Sequence, residues 1–66
     1  QERAALERRV GAWLYLEHRL GAGDLDESDS RKRLWRELGE LAAYGLFLSS
    51  DEADQSLALL ITERLS

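Results

Sequence analysis

The stretch DLDESDSRKRLWRELGEL, residues 24–41, decides the fold of this chain. It opens with an acidic turn, continues through four bases at residues 31–36, and carries a stripe of leucines at Leu34, Leu38 and Leu41. Apolar residues at three- and four-residue spacing mark one face of a helix. Acids favour the start of a helix because its dipole is positive there. The stretch therefore predicts a long amphipathic helix with a defined start, and it indicates no chemistry.

The length and composition limit how such a chain is stabilised. With 66 residues it forms one domain, residues 1–66, and a domain of this size buries only about 60% of its unfolded surface. There is no Cys and only one His, so disulfides and a multi-histidine metal site within one chain are excluded. Small domains usually need a disulfide, a bound metal or an oligomeric contact to be stable. We therefore predict a homodimer or a protein partner.

Several function classes fit the sequence poorly. No apolar run approaches the roughly 20 residues of a membrane span, so we expect no membrane contact. The net charge of −4 argues against a nucleic-acid partner. His18 is alone and lies off the apolar stripe of its helix, and no nucleophile or phosphate loop accompanies it. We expect a non-enzymatic, cytoplasmic protein without catalytic residues, metal, cofactor or small-molecule substrate.

Helical spacing of apolar residues continues along the whole chain, and there is no Pro. The sequence predicts an all-α fold, a small antiparallel bundle of three helices in which a helical hairpin is joined by a third helix. The helices are expected over residues 3–20, 25–44 and 50–65. Gly21 is expected at the left-handed position that ends the first helix, since glycine adopts it without a steric cost.

The other helix ends follow from capping patterns. Asp24 with Glu27 three residues later predicts the start of the second helix. Gly45 predicts its end at Tyr44, and continuation to Leu48 is the alternative. Ser49 is expected to cap the third helix. Acid-to-base pairs at i,i+4 are predicted along the second helix, Glu27 with Arg31 and Asp29 with Arg33.

The apolar stripes predict the buried core. Its expected members are Leu6, Val10, Trp13, Leu16, Leu20, Leu34, Leu38, Leu41, Leu57, Leu60 and Ile61.

Side chains that break or border the stripes are the candidates for binding a partner. Tyr15 and Leu59 lie opposite their own stripes, and Phe47 lies in an apolar connector, so together they suggest a second apolar surface of the kind that marks association sites. Glu17 interrupts the first stripe; either it pairs with an Arg of a partner helix, or it bends out to water. The full set of candidates is Trp13, Tyr15, Glu17, Arg31, Arg33, Trp35, Phe47 and Leu59.

Two of these candidates, the tryptophans, have a second interpretation. Trp13 and Trp35 each lie on or beside a stripe, where packing in the core is the expected role. Anchoring a partner is the alternative, since Trp is a common hot-spot residue at interfaces.

The sequence favours a protein–protein interaction module acting through apolar helix faces, such as an adaptor, a chaperone-like regulator or a docking domain. The alternative is a small DNA-binding regulator, in which the second and third helices form a helix-turn-helix. In that motif the third helix would bring Asp51, Glu52 and Asp54 towards phosphate, which is electrostatically unfavourable.

Overall fold

The computed structural model describes residues 2–66, which form three α-helices joined by turns, without a strand. Helix α1 spans Glu2–Leu20, α2 spans Ser30–Phe47 and α3 spans Glu52–Leu65, and a short 3-10 helix covers Ala22–Asp24. The predicted all-α fold with three helices is confirmed.

The end of α1 follows the glycine prediction. Gly21 has φ 52° and ψ 55°, the left-handed conformation expected of it. The chain then turns into the 3-10 helix, where the Asp24 backbone N–H donates to the Gly21 carbonyl at 2.8 Å. Ala22 is fully buried in this turn, so the connection packs against the helices.

The predicted start of α2 is wrong by five residues. Asp29 caps the helix, and its Oδ1 accepts from the Arg31 backbone N–H at 2.8 Å, whereas Asp24 belongs to the 3-10 helix. Aspartate is a favourable cap at either position, and the buried turn at Ala22 keeps Asp24 outside the helix although only Asp24 has a glutamate three residues later. The predicted i,i+4 pairs are also absent from the ion pairs of residues 2–66, because Glu27 and Asp29 precede the helix. Glu27 pairs instead with Lys32 at 3.0 Å.

The boundary between α2 and α3 also differs from the first expectation. The helix does not end at Tyr44 but continues through Gly45 to Phe47, close to the alternative end at Leu48. Asp51, not Ser49, caps α3, and its side chain accepts from the Ala53 backbone N–H at 2.8 Å.

The core is built around two stacked indole rings. The ring centroids of Trp13 on α1 and Trp35 on α2 are 6.2 Å apart with 24° between their planes. Both side chains are buried, and α3 contributes Ile61. The other buried apolar residues are Ala22, Ala42, Ala43, Leu46, Ala58 and Leu65.

Small residues let the helices approach this core closely. A Cβ atom at Gly39 would lie 2.7 Å from Trp13 Nε1 and 2.9 Å from a methyl of Leu65. A Cβ at Gly45 would lie 2.7 Å from a methyl of Leu6. At distances under 3.0 Å a neighbouring atom has to move before a side chain fits, so glycine allows the close approach of α2 to Trp13, Leu65 and Leu6.

Three predicted core leucines are on the surface instead. Leu34, Leu41 and Leu60 are 48%, 53% and 54% exposed. The prediction is wrong for α2 because this helix turns its small residues and Trp35 inward, and Leu34 and Leu41 lie on the other side. On α3 the buried positions are Asp54, Ala58, Ile61 and Leu65, which leaves Leu60 outside. The remaining predicted core residues are buried or partly buried.

Candidate functional site

The side of α2 that faces away from the core carries a row of large apolar side chains. Leu34, Leu41 and Leu48 follow one another at intervals of seven residues, and Tyr44 lies beside them. Their exposures are 48%, 53%, 71% and 66% in the order Leu34, Leu41, Leu48, Tyr44. A contiguous exposed apolar row on a small domain usually marks an association site. These four residues are called the outer face of α2.

The outer face borders a groove between α1 and α2. The groove has a volume of about 460 Å³. Leu41, Tyr44 and Leu48 form its α2 wall, and Ala5 and Leu6 form the apolar part of its α1 wall. Glu2, Arg3 and Arg9 complete the α1 wall. A groove with both apolar and charged walls beside an apolar helix face suits an amphipathic helix.

Charged residues accompany the outer face of α2, with Glu37 within the row and Arg33 and Glu40 along one flank. Arg33, Glu37 and Glu40 are exposed, and none of them makes an ion pair within residues 2–66. The other bases of the cluster are engaged locally. Arg31 bonds Asp29, and its proximity holds the pKa of Asp29 at about 2. The charges available to a partner along α2 are thus a base near its start and two acids near its middle.

Two ion pairs join the ends of α1 to the ends of α3. Arg3 donates to Asp54 through both terminal nitrogens, at 2.6 Å and 3.1 Å. The bidentate guanidinium lowers the pKa of the buried Asp54 carboxyl. Arg64 also donates two bonds to Glu17, one from Nε and one from a terminal nitrogen at 3.2 Å.

The second ion pair decides the interpretation of Glu17. Its side chain is 14% exposed and bonded to Arg64 of α3, so it does not bend out to water. The other interpretation made from the sequence, pairing with an Arg of a partner helix, agrees with this contact, and the helix that supplies the Arg belongs to the same chain.

The sequence-predicted partner-binding residues do not gather in one place. Trp13 and Trp35 are 2% exposed and packed in the core, which is the expected role for both. Their indole N–H groups have no hydrogen-bond partner within the described chain. Both rings are covered by the chain's own helices and present little surface to a partner.

The other apolar candidates lie on the surface. Tyr15 on α1 is 60% exposed, with the Arg19 guanidinium 5.8 Å from its ring centre. Phe47 lines a hollow between α2 and α3, and Leu59 is exposed on α3. Partner binding by these residues stays a prediction, as it does for Arg31 and Arg33.

Sequence reasoning missed the outer face because it assigned Leu34 and Leu41 to the core. The signal that would have found it is the seven-residue spacing of Leu34, Leu41 and Leu48, which is typical of a helix that pairs with another helix. The smaller residues Gly39, Ala42 and Ala43 recur on the opposite side of the same helix.

Comparisons with known proteins add no family to these observations. A scan against protein-family models found no match, and searches of curated proteins and of solved structures found none either. Within residues 2–66, no helix combines the length and the apolar character needed to cross a membrane. No group of three His, Asp or Glu side chains in that range is placed to hold a metal ion.

Proposed function

We propose that this chain is a non-enzymatic protein–protein interaction module, and that the outer face of α2 is its binding surface. The observation that carries the proposal is the orientation of α2, which leaves a row of leucines on the side away from the core. The helix buries Gly39, Ala42 and Ala43 beside Trp35 and Leu46, and it leaves exposed Leu34, Leu41 and Leu48, the last being the residue that caps its end. Complete burial of a fully exposed leucine gains about 1.5–3 kcal/mol, and covering the exposed part of each of these leucines gains a corresponding fraction, which favours a partner that covers the row.

We infer an antiparallel arrangement of α1 and α2, from the order of their contacts. Leu6, early in α1, lies against Gly45, late in α2. Trp13, later in α1, lies against Gly39, earlier in α2. This arrangement gives the groove parallel walls along which an amphipathic helix fits.

Nucleic acid is a weaker proposal for the partner. The start of α3, which a helix-turn-helix would direct at DNA, carries Asp51, Glu52 and Asp54. Gly45, the expected turn residue, lies inside α2. A duplex-DNA titration at low salt checks the point, because binding through phosphate contacts is strongest there. We expect none.

A photo-crosslinking experiment tests the proposal. A benzoylphenylalanine is placed at Leu41, or at the equally exposed Leu60 on α3 as the control, in cells that make the protein. We expect an adduct from position 41 that excess native chain competes away and that a Leu41→Asp chain does not. A yield at position 41 no higher than that at position 60 would overturn the proposal.

A further inference from the structure

The outer face of α2 has features that identify what covers it. We propose that it pairs with the same face of a second copy of this chain, with the two α2 helices antiparallel across a twofold axis at Leu41. The inference rests on the proposed function, since it names the partner of the same surface.

The leucine spacing makes this face complementary to itself. An α-helix drifts by only about 20° over seven residues, so Leu34, Leu41 and Leu48 stay on one side of α2. In an antiparallel pair with the twofold axis at Leu41, position 34 lies opposite position 48 of the second copy, and Leu41 lies opposite itself. All three leucines of each copy then meet a leucine. A surface that matches itself under a twofold rotation is what a symmetric dimer interface requires.

The charge distribution selects the antiparallel orientation. Residues 31–36 carry four bases, whereas the charged residues between positions 37 and 54 are all acids. In the proposed register Arg33 lies opposite position 49 of the second copy, beside the acidic start of α3. A parallel pair would instead place base against base. Opposite charges across an interface guide orientation, and like charges that face each other are costly.

One pair of like charges, the two Glu40 side chains, opposes the dimer and therefore provides a test of its register. Glu40 lies opposite position 42 of the second copy, so the two Glu40 side chains are about 3 Å apart along the axis, at 1.5 Å per residue. A twofold axis perpendicular to both helices also places the same flank of each helix together. Two like charges thus meet near the centre of the interface, which a partner of unrelated sequence would not bring about.

The concave wall beside the outer face favours a helix as the occupant. Leu41, Tyr44 and Leu48 also line the groove of about 460 Å³ with Ala5 and Leu6. In the proposed register, residues 34–41 of the second copy lie opposite the part of α2 that lines this groove.

The solution mass of the purified chain tests the pairing. Sedimentation equilibrium across a concentration series should show a dimer with twice the 7.5 kDa chain mass. We expect Leu41→Asp to weaken the dimer by more than tenfold, and the matched Leu60→Asp to leave it unchanged. Circular dichroism confirms that both variants are folded, since both positions are exposed. A dimer that Leu41→Asp leaves intact would overturn the proposal.

Charge variants test the register and keep the leucines in place. Glu40→Gln should tighten the dimer severalfold because it removes the like-charge pair, and Arg33→Glu should weaken it. Glu63→Gln, an exposed acid on α3, is the control for the loss of one negative charge. A Glu40→Gln dimer no tighter than that of the Glu63→Gln control would overturn the register.

The lack of cysteine allows a direct test of orientation. A short bismaleimide linker should join chains with Leu34→Cys efficiently to chains with Leu48→Cys. It should join two chains that both carry Leu34→Cys only poorly. Efficient joining of Leu34→Cys to itself would show a parallel pair and would contradict the proposal.

The outcomes separate this inference from the proposed function. A chain that stays monomeric at every concentration, yet gives a competed adduct with a different protein from position 41, overturns self-pairing and keeps the interaction function. An adduct with twice the chain mass supports self-pairing and the interaction function alike. If neither a dimer nor an adduct is found, self-pairing and the interaction function are both overturned.

Discussion

The two sides of α2 use amino acids in opposite ways. The inner side buries Gly39, Ala42 and Ala43 beside Trp35 and Leu46, and the outer side presents Leu34 and Leu41 to water. Hydrophobic content alone would place every leucine inside. The difference teaches that the volume available between helices helps to decide which face is buried, because Trp13 lies so close to α2 that only glycine fits at position 39.

The largest expected effect comes from removing what fills that core. Trp13→Ala should cost about 3–5 kcal/mol of unfolding free energy, which is the usual range for a buried aromatic. A domain of this size has little stability to lose. We expect circular dichroism to show a largely unfolded chain at room temperature. Tyr15→Ala, on the exposed side of the same helix, is the control and should keep the helical signal.

A pair of identical substitutions on α2 addresses the comparison directly. Leu46 is 2% exposed and Leu41 is 53% exposed. Leu46→Ala should lose about 2–5 kcal/mol in urea unfolding, because it leaves a cavity. Leu41→Ala should change stability by no more than about 0.5 kcal/mol when measured in dilute monomer. Equal losses at the two positions would mean that the inner and outer sides are wrongly assigned.

Two glycine substitutions test the close approach of the helices. Gly39→Ala should lose roughly 1–3 kcal/mol, since the new methyl group overlaps Trp13 and Leu65 and forces the core apart. Gly11→Ala is the matched control in α1, where nothing lies within 4 Å of the added carbon. It should gain about 0.4–1 kcal/mol by restricting the unfolded chain. Thermal melts of the two variants should therefore move in opposite directions, and a gain at both positions would refute tight packing at Gly39.

The smallest expected effect concerns the ion pair that ties α1 to α3 beside the core. Arg3 lowers the pKa of Asp54 in the folded state. The contribution of the ion pair to stability is then complete above about 3.9, the pKa of an aspartate in the unfolded chain. It is lost as the pH falls through the lower pKa of Asp54 in the folded state. The melting temperature of the native chain should drop over this acidic range. Asp54→Asn should flatten that part of the profile, and the exposed Glu63→Gln should not.

The sequence was sufficient for the helix count and for part of the ends, because these depend on local signals. Gly21 stops α1 as a left-handed residue wherever the rest of the chain lies. The start of α2 was ambiguous, since Asp24 and Asp29 are both good caps and the choice depends on the burial of Ala22. Local patterns carry no information about such a tertiary contact.

The sequence could not predict which side of α2 faces the core, for a related reason. Leu34, Leu38 and Leu41 give the stronger apolar stripe, and Gly39 and Ala42 give a weak one. Whether glycine is inward depends on a large side chain on another helix, here Trp13. The candidate site was missed with the same error, because a leucine assigned to the core cannot be assigned to a surface. Likewise Glu17 found its partner in Arg64, 47 positions away along the chain.

The stacked tryptophans have a practical consequence. They are the only two in the chain, both are buried, and their ring centres are 6.2 Å apart. Neither indole N–H is hydrogen-bonded within the described chain, so the rings emit from an apolar environment, at shorter wavelengths than indole in water. Their fixed mutual orientation also gives a near-ultraviolet circular dichroism signal, which disappears when packing loosens even if the helices remain. The molecule thus carries an optical probe of its own tertiary structure and needs no added label.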